Sequence, residues 1–482
     1  MALFFTLVCA FAIFWFTWMY FKSKGNPASP PGPRGLPLVG SLPFLCPDLH
    51  SYFAELARTY GPVVKLQLGS KHGSKLGILV TSPSAAREVL KDQDIVFANS
   101  DVPMTAMVLT GGRDIAWNPY GPEWRMLRKV CVIKMLSNAT LDKAYEFRRR
   151  EVRQTVGYLY SKAEEPVNVG EQMFLTILNV VTNMLWGGTV EGEARASLGA
   201  EFRQVISETT ELLGMPNISD FFPALAPLDL QGAVKRMKKP MDKLNAIFDN
   251  IIDQRLKKEW ESGNSSSLEF KDFVQFLLQL KDDEDSKTPL TMDHIKALLL
   301  DMVVGGSDTS SNSIEFVMAE IINKPEVMRK AQQELDEVIG KDNFVEESHI
   351  HKLPYLLAIM KESLRLHPAL PLLIPQCPSE SCTVGGYTIP KGSRVFLNSE
   401  WDFSGNDFSY FPFGSGRRIC AGIAMAERMV LYSVATLLHS FDWKVHEGNN
   451  LDLTEKFGIV LKLENPLVAI LTPRLSDPTF YE

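Results

Sequence analysis

The chain has 482 residues, 45% hydrophobic, 22% charged and 10% aromatic, with 32 glycines and 29 prolines, which excludes a collagenous, low-complexity or wholly disordered protein. Fifty basic against 57 acidic residues give a net charge of −7, and that balance argues against nucleic acid as the main partner. Six scattered cysteines (Cys9, Cys46, Cys131, Cys377, Cys382, Cys420) make no disulfide scaffold and point the folded part toward a reducing compartment.

Residues 1–21 carry no charged side chain, and as a helix they would span roughly 31 Å, the thickness of a bilayer core. Trp15, Trp18 and Tyr20 sit toward the C-terminal end, and Lys22 and Lys24 follow with no basic residue ahead. This pattern predicts a retained transmembrane anchor with the rest of the chain cytosolic; a cleaved signal peptide would want a basic start and a shorter apolar run. Residues 22–40 read as a basic and proline-rich hinge, stiff and extended through Pro30, Pro31, Pro33 and Pro37.

Beyond the hinge the pattern predicts one body over residues 41–482, mainly α with small β-sheets. Amphipathic helical periodicity runs over 84–91, 141–163, 169–185, 244–260, 268–280 and 295–322, for example, and 423–438 also reads as helix. Strand-like runs occupy 63–68, 78–80, 394–397 and 459–463. Residues 262–267 and 282–285 read as solvated loops. No internal period is visible, which excludes solenoids and propellers.

The chemistry concentrates near the C-terminus, in Phe413-Gly414-Ser415-Gly416-Arg417-Arg418-Ile419-Cys420-Ala421-Gly422. One cysteine opens a helix within a glycine-bearing loop, where backbone N–H groups, the helix end, Arg417 and Arg418 all favour thiolate over thiol. Gly416 and Gly422 would let the backbone approach a flat ligand, with Phe413 packed beside the sulfur. A second unusual stretch, Gly305-Gly306-Ser307-Asp308-Thr309-Ser310, lies within the long helical run 295–322; paired glycines weaken a helix by about 1 kcal/mol each, so they need a reason. A third is Glu362-x-x-Arg365, whose spacing puts both side chains on one helix face. A fourth is Trp124-x-x-x-Arg128.

Taken in order, these four motifs resemble the cytochrome P-450 family, across almost the whole chain. The resemblance implies a haem b whose iron takes Cys420 as its axial thiolate. It implies Trp124, Arg128 and Arg418 as haem-propionate contacts, and Phe413, Gly416 and Gly422 as the walls of the cysteine loop. It implies that the helix widens at Gly305 and Gly306 to admit O2, that the Thr309 hydroxyl serves oxygen activation, and that Asp308 relays protons with water. Glu362 and Arg365 would form a buried structural pair bracing the thiolate side. Electrons would come from NADPH through a flavoprotein reductase, with Arg125, Lys129, Lys134 and Arg417 as docking candidates. The expected location is the endoplasmic reticulum membrane.

Finer similarity is to plant members that hydroxylate terpenoids and related small lipophiles. Substrate-facing segments carried over by position are 100–117, 215–230, 298–309, 370–374 and 457–460, with Gly305, Gly306, Ile374, Phe457 and Ile459 as pocket candidates. Residues 221–225 would either dip into membrane lipid or pack in the core.

Two departures stand out. The family places a meander with a Pro-x-Arg-Phe segment between the strand after Glu-x-x-Arg and the cysteine loop. Here Arg394-Val395-Phe396-Leu397-Asn398 runs straight into Ser399-Glu400-Trp401-Asp402, so roughly two dozen residues are missing by comparison, far beyond an ordinary loop adjustment. The second is Gln376, where relatives place a cationic or imidazole propionate contact. The leading expectation is therefore a membrane-bound haem-thiolate monooxygenase acting on a small lipophile, terpenoid first. The alternatives are a flavonoid, phenylpropanoid or oxime-forming monooxygenase, and a deletion variant with weak haem binding and little activity.

Overall fold

A computed structural model of the chain describes residues 29–46, 48–69, 75–187, 193–261, 272–281, 289–398, 410–445 and 451–481. The expected anchor at 1–21 and the loops at 262–267 and 282–285 lie outside these residues. Among the described residues no helix is long and apolar enough to cross a membrane.

In chain order the α-helices are α1 Leu49–Tyr60, α2 Pro83–Arg87, α3 Met104–Thr110, α4 Pro122–Lys129, α5 Asn138–Lys143, α6 Tyr145–Ser161, α7 Val169–Trp186 and α8 Glu193–Gly214. They continue as α9 Ile218–Phe221, α10 Ala233–Glu261, α11 Phe273–Lys281, α12 Met292–Asn323, α13 Pro325–Val338, α14 Glu347–Ile350, α15 Pro354–Leu366 and α16 Ile423–Ser440. Helices α7, α12 and α16 are buried on nearly every side, the signature of central helices rather than surface ones. Helix α12 packs against both α7 and α16, and the three form the spine of the main core. Its start is fixed by a capping box, in which Thr291 accepts the His294 N–H and the His294 ring accepts the Thr291 N–H.

The largest sheet has the order β1-β2-β8-β5-β3, from β1 Val63–Leu68, β2 Lys75–Val80, β3 Asn99–Ser100, β5 Gln376–Cys377 and β8 Arg394–Leu397. Only β2 and β8 pair in parallel, with Ile78 opposite Val395. Strand β12 (Val468–Pro473) lies between β4 (Pro166–Asn168) and β9 (Phe441–Val445), while β6 (Cys382–Val384) with β7 (Tyr387–Ile389) and β10 (Glu455–Lys456) with β11 (Lys462–Leu463) make two hairpin-like pairs.

The structure departs from the sequence expectation at several element boundaries and in the proline segment. The run 141–163 breaks at Ala144, between α5 and α6. In 459–463 only Lys462–Leu463 is strand, because Ile459 and its neighbours turn to line a cavity. The proline segment is no free spacer. The Pro31 carbonyl accepts the Lys65 N–H at 2.7 Å, and Ser41 donates to the Gln67 carbonyl at 2.6 Å. Proline cannot donate, but its carbonyl caps the exposed edge of β1. A Cβ on Gly32 would stand 2.0 Å from the Lys65 carbonyl oxygen, so only glycine permits this approach. All five cysteines among the described residues are free thiols.

Candidate functional site

Cys420 lies three residues ahead of α16. The residue keeps accessible surface although protein surrounds its thiol closely. The Gly422 N–H donates to it at 3.3 Å. Burial pushes the thiol's pKa up, and the Gly422 N–H and the Arg128 guanidinium pull it down; burial prevails. The nearby cation is thus Arg128 from α4, not Arg417 or Arg418. Arg417 instead pairs with Asp94 at 3.0 Å on the outside.

The glycines of the loop have distinct reasons. Gly416 has φ +68°, and a Cβ there would stand 2.1 Å from the Leu90 carbonyl oxygen. It brings the loop against a neighbouring backbone rather than against a ligand. Gly422 meets only the Cys420 sulfur, at 3.8 Å. Phe413 is half-buried against the main core, and its carbonyl accepts the Cys420 N–H at 2.9 Å.

Arg418 and Arg128 are held by carbonyls. Arg418 donates to Ala98 at 2.6 Å, to Ile115 at 3.0 Å and to Asn118 at 2.6 Å, and its guanidinium lies 4.5 Å above the Trp124 ring. Burial draws its pKa down to about 10. Arg128 donates to the Ile419 carbonyl, and Trp124 Nε1 donates to the Ile115 carbonyl at 3.0 Å. Among the described residues neither arginine pairs directly with a carboxylate. Two part-buried cations without acid partners, beside a sulfur that receives an N–H, fit a ligand with two carboxylates and a thiolate-binding metal. The donor set therefore fits haem.

On α12, Gly305 has nothing within 4 Å of where a Cβ would be. It opens space along an otherwise buried helix, while Gly306 meets only the Val181 side chain, at 3.5 Å. The helix nevertheless runs through as regular α, so the expected widening takes another form. Thr309 Oγ1 donates back to the Gly305 carbonyl one turn earlier, at 2.6 Å. Asp308 is buried and fully engaged. It receives Lys462 Nζ at 2.9 Å, Thr210 Oγ1 at 3.1 Å and Asn312 Nδ2 at 3.4 Å.

Glu362 and Arg365 do meet, through two hydrogen bonds of 2.7 Å. The Glu362 side chain is 57% exposed, so the pair lies at the surface, contrary to the buried brace the resemblance implies. Tyr410, leading into the cysteine loop, is buried and donates to the Lys361 carbonyl at 2.8 Å. That bond ties the loop to α15. Gln376 is buried in β5, and its Oε1 has no hydrogen-bond partner among the described residues.

Four of the five expected substrate segments converge on one cavity of about 120 Å³. Trp117, Met215, Phe221, Leu372, Phe457 and Ile459 are among its walls. Ile374, Gly305 and Gly306 are not. A larger cavity of about 260 Å³ lies between α3, α10 and the start of α12; it is lined by residues of 100–117 and by Leu300 of the fifth segment, 298–309, and by none of the other three. Of the polar residues of the smaller cavity, Asp101 and Asp220 fall within the expected segments 100–117 and 215–230, while sequence reading missed Arg394. The available signal was an arginine heading the apolar strand Arg394–Leu397.

A family model for cytochrome P-450 matches residues 30–401 and 396–470. A flavonoid 3'-monooxygenase of Petunia hybrida is 34% identical over 513 aligned positions, covering 99% of this chain and 98% of the relative. A geraniol 8-hydroxylase of Swertia mussotii is 36% identical, covering 94% and 95%. Among solved structures, a zebra fish cytochrome P-450 with progesterone aligns with a TM-score of 0.74 at 23% identity, covering 88% of this chain and 99% of that one.

Proposed function

The chain belongs to the cytochrome P-450 family of monooxygenases, and from that premise we propose that it is a membrane-bound enzyme placing one oxygen atom from O2 into a small lipophile. The observation that carries this reading is Cys420: a solvent-accessible residue whose sulfur is hydrogen-bonded by Gly422 and approached by Arg128. Haem, when bound there, supplies the oxygen-activating chemistry. The chain supplies everything else. Gly422 steadies the sulfur as an anion, and Arg128, Arg418 and Trp124 take the propionate side. Thr309 Oγ1, fixed by its bond to Gly305, keeps its lone pairs available to accept a hydrogen bond. Asp308 is joined through Lys462 to the protein's edge, a route for proton entry beside that hydroxyl.

Electrons come from NADPH by way of a flavoprotein reductase, docking on Arg125, Lys129 and Lys134, which are exposed on α4 and the turn after it. Residues 1–21 anchor the chain in the endoplasmic reticulum membrane. Leu225, Leu228 and Leu230 are exposed while Phe221 and Phe222 pack with Leu42 and Leu45, which supports a lipid contact at this end. Relatives of near-equal identity act on a flavonoid and on geraniol, so both lipophile classes, terpenoid and phenolic, are substrates to test.

A second reading, weakened haem binding through the lost meander, draws on three observations. The Petunia relative aligns over more positions than this chain has residues. The two family-model matches meet at 396–401, where the sequence departs from the family pattern. Glu362 is exposed. The reduced, CO-bound difference spectrum decides between the readings: a thiolate-type Soret band supports the enzyme, and no band, or one typical of lost thiolate, supports the second.

A further inference from the structure

The cavity wall carries a buried polar group that the main-chain fold does not consume. Asp101 is saturated: Lys75 Nζ donates to its Oδ1 at 2.5 Å and Arg394 Nε donates to its Oδ2. This triplet joins β2, β8 and the turn after β3, and a structural role explains it completely. What it leaves over is different. Arg394 is only 9% exposed, yet among the described residues its two Nη nitrogens have no hydrogen-bond partner and both retain surface. Arg394 lines the cavity, with its guanidinium 5.2 Å over the ring of Phe221, another of its walls. Opposite in kind, Asp220 Oδ1 receives the Met104 N–H at 2.7 Å while Oδ2 has no partner there and also keeps surface. The rest of the wall is apolar: Phe53, Leu68, Phe396, Leu372, Phe457 and Ile459, with others.

A buried guanidinium with open donors demands an acceptor, and a buried carboxylate with an open oxygen demands a donor. One hydroxyl does both. A carboxylate ligand would suit the Arg394 fork alone, but it would sit beside Asp101 and Asp220 in a medium of low dielectric. We propose that this cavity selects lipophiles bearing a hydroxyl group, an alcohol or phenol, whose oxygen accepts a hydrogen bond from Arg394 and whose O–H donates one to Asp220. The inference rests on reading this cavity as the substrate site of the proposed enzyme.

Calorimetry of the full-length protein with 2-naphthol, 2-methylnaphthalene and 2-naphthoate tests it, on a preparation whose reduced CO spectrum has been recorded. The expected result is 2-naphthol binding about tenfold tighter than its methyl isostere, as suits hydrogen bonds to charged groups, with naphthoate weaker than naphthol. In Arg394→Met and in Asp220→Asn the preference falls below about threefold. Should Arg394→Met not fold, Arg394→Lys keeps a cation beside Asp101 and loses the fork, and the same fall is expected. Equal binding of naphthol and its isostere, a preference that survives these substitutions, or tighter binding of naphthoate overturns the inference. A missing thiolate band alongside a naphthol preference overturns the enzyme reading and leaves the hydroxyl site standing; the reverse result overturns only the hydroxyl site.

Discussion

Lys462 Nζ lies 2.9 Å from Oδ2 of Asp308, joining the strand beside the cavity to the residue before Thr309. The carboxylate is buried while the lysine is about a quarter exposed. Removing the cation strands a buried charge that Thr210 and Asn312 only partly satisfy. Lys462→Met should therefore lower unfolding stability by about 2 kcal/mol, less than a fully buried pair because water reaches the lysine. The urea midpoint measures this. If Asp308 delivers protons, the variant also consumes more O2 per product than wild type; unchanged stability and unchanged coupling together remove the link.

His367 makes a second cross-connection, to Glu455 at 2.5 Å and Glu320 at 3.0 Å, while stacking on Phe316. Burial lowers the His367 pKa, but the hydrogen bonds to Glu455 and Glu320 outweigh it, and the net shift is upward from 6.5. Burial raises Glu455, yet bonds from His367 and His50 carry it down to about 2. The histidine's contribution is complete below its unfolded value near 6.5 and is lost as pH rises through the raised folded value. The glutamate's contribution is complete above its unfolded value near 4.5 and is lost as pH falls toward about 2. Stability should peak between about pH 4.5 and 6.5 from this cluster. His367→Gln should flatten the alkaline decline, read from urea midpoints at several pH values; an identical decline in the variant excludes His367 as its cause.

Gly416→Ala tests the cysteine loop. The substitution meets both a positive φ of +68° and a carbonyl oxygen 2.1 Å from the new Cβ. Since the obstacle is backbone, neither can yield cheaply, and a loss of about 2–4 kcal/mol is expected. Thermal unfolding and haem content of the purified variant should fall together. Gly422→Ala is the contrast, because its Cβ would make an ordinary contact with the sulfur at 3.8 Å. Similar losses in both variants argue against this division of roles.

The motifs were legible because each sets unlike residue types at fixed spacing. Cys420 among glycines and arginines, Gly305-Gly306 within an apolar helix, and Trp124 four residues before Arg128 all break local expectations. Helices α7, α12 and α16 were legible as helical runs over 169–185, 295–322 and 423–438, though their burial on nearly every side was not. What stayed hidden depended on side-chain direction. Asp308 and Thr309 are neighbours in sequence but about 100° apart around a helix, so one binds Lys462 while the other returns to Gly305. Arg394 and Asp101 are separated by nearly three hundred residues, and only the sheet order brings them together. The anchoring of the proline segment on β1 also needed a partner strand that local sequence does not name.

Thr309→Ala separates chemistry from folding. The Thr309 hydroxyl's bond is to the Gly305 carbonyl, a group already within the helix ladder, so its removal leaves no buried donor stranded. Stability should change by less than about 1 kcal/mol. In an active enzyme, O2 consumption should continue while product per O2 falls several-fold. Unchanged coupling sinks the proton-handling role; a large loss of stability shows that the hydroxyl is structural.

Glu362→Gln addresses the missing meander directly. In a buried network, deleting a carboxylate that pairs with arginine costs about 3–5 kcal/mol. Here the Glu362 side chain is more than half exposed, and its pKa is lowered first by the Arg365 hydrogen bonds. Solvent screens the pair, and neutral Gln can still accept from Arg365, so the loss should stay below about 1 kcal/mol. Tyr410→Phe, which removes the bond from the cysteine loop to the Lys361 carbonyl, should then cost as much or more, near 1 kcal/mol. Matched urea unfolding of both variants ranks the ion pair within α15 against the link from α15 to the cysteine loop. If Glu362→Gln proves the more damaging by several kcal/mol, the pair braces the loop despite its exposure, and the improvised buttress through Tyr410 is not the one that holds it.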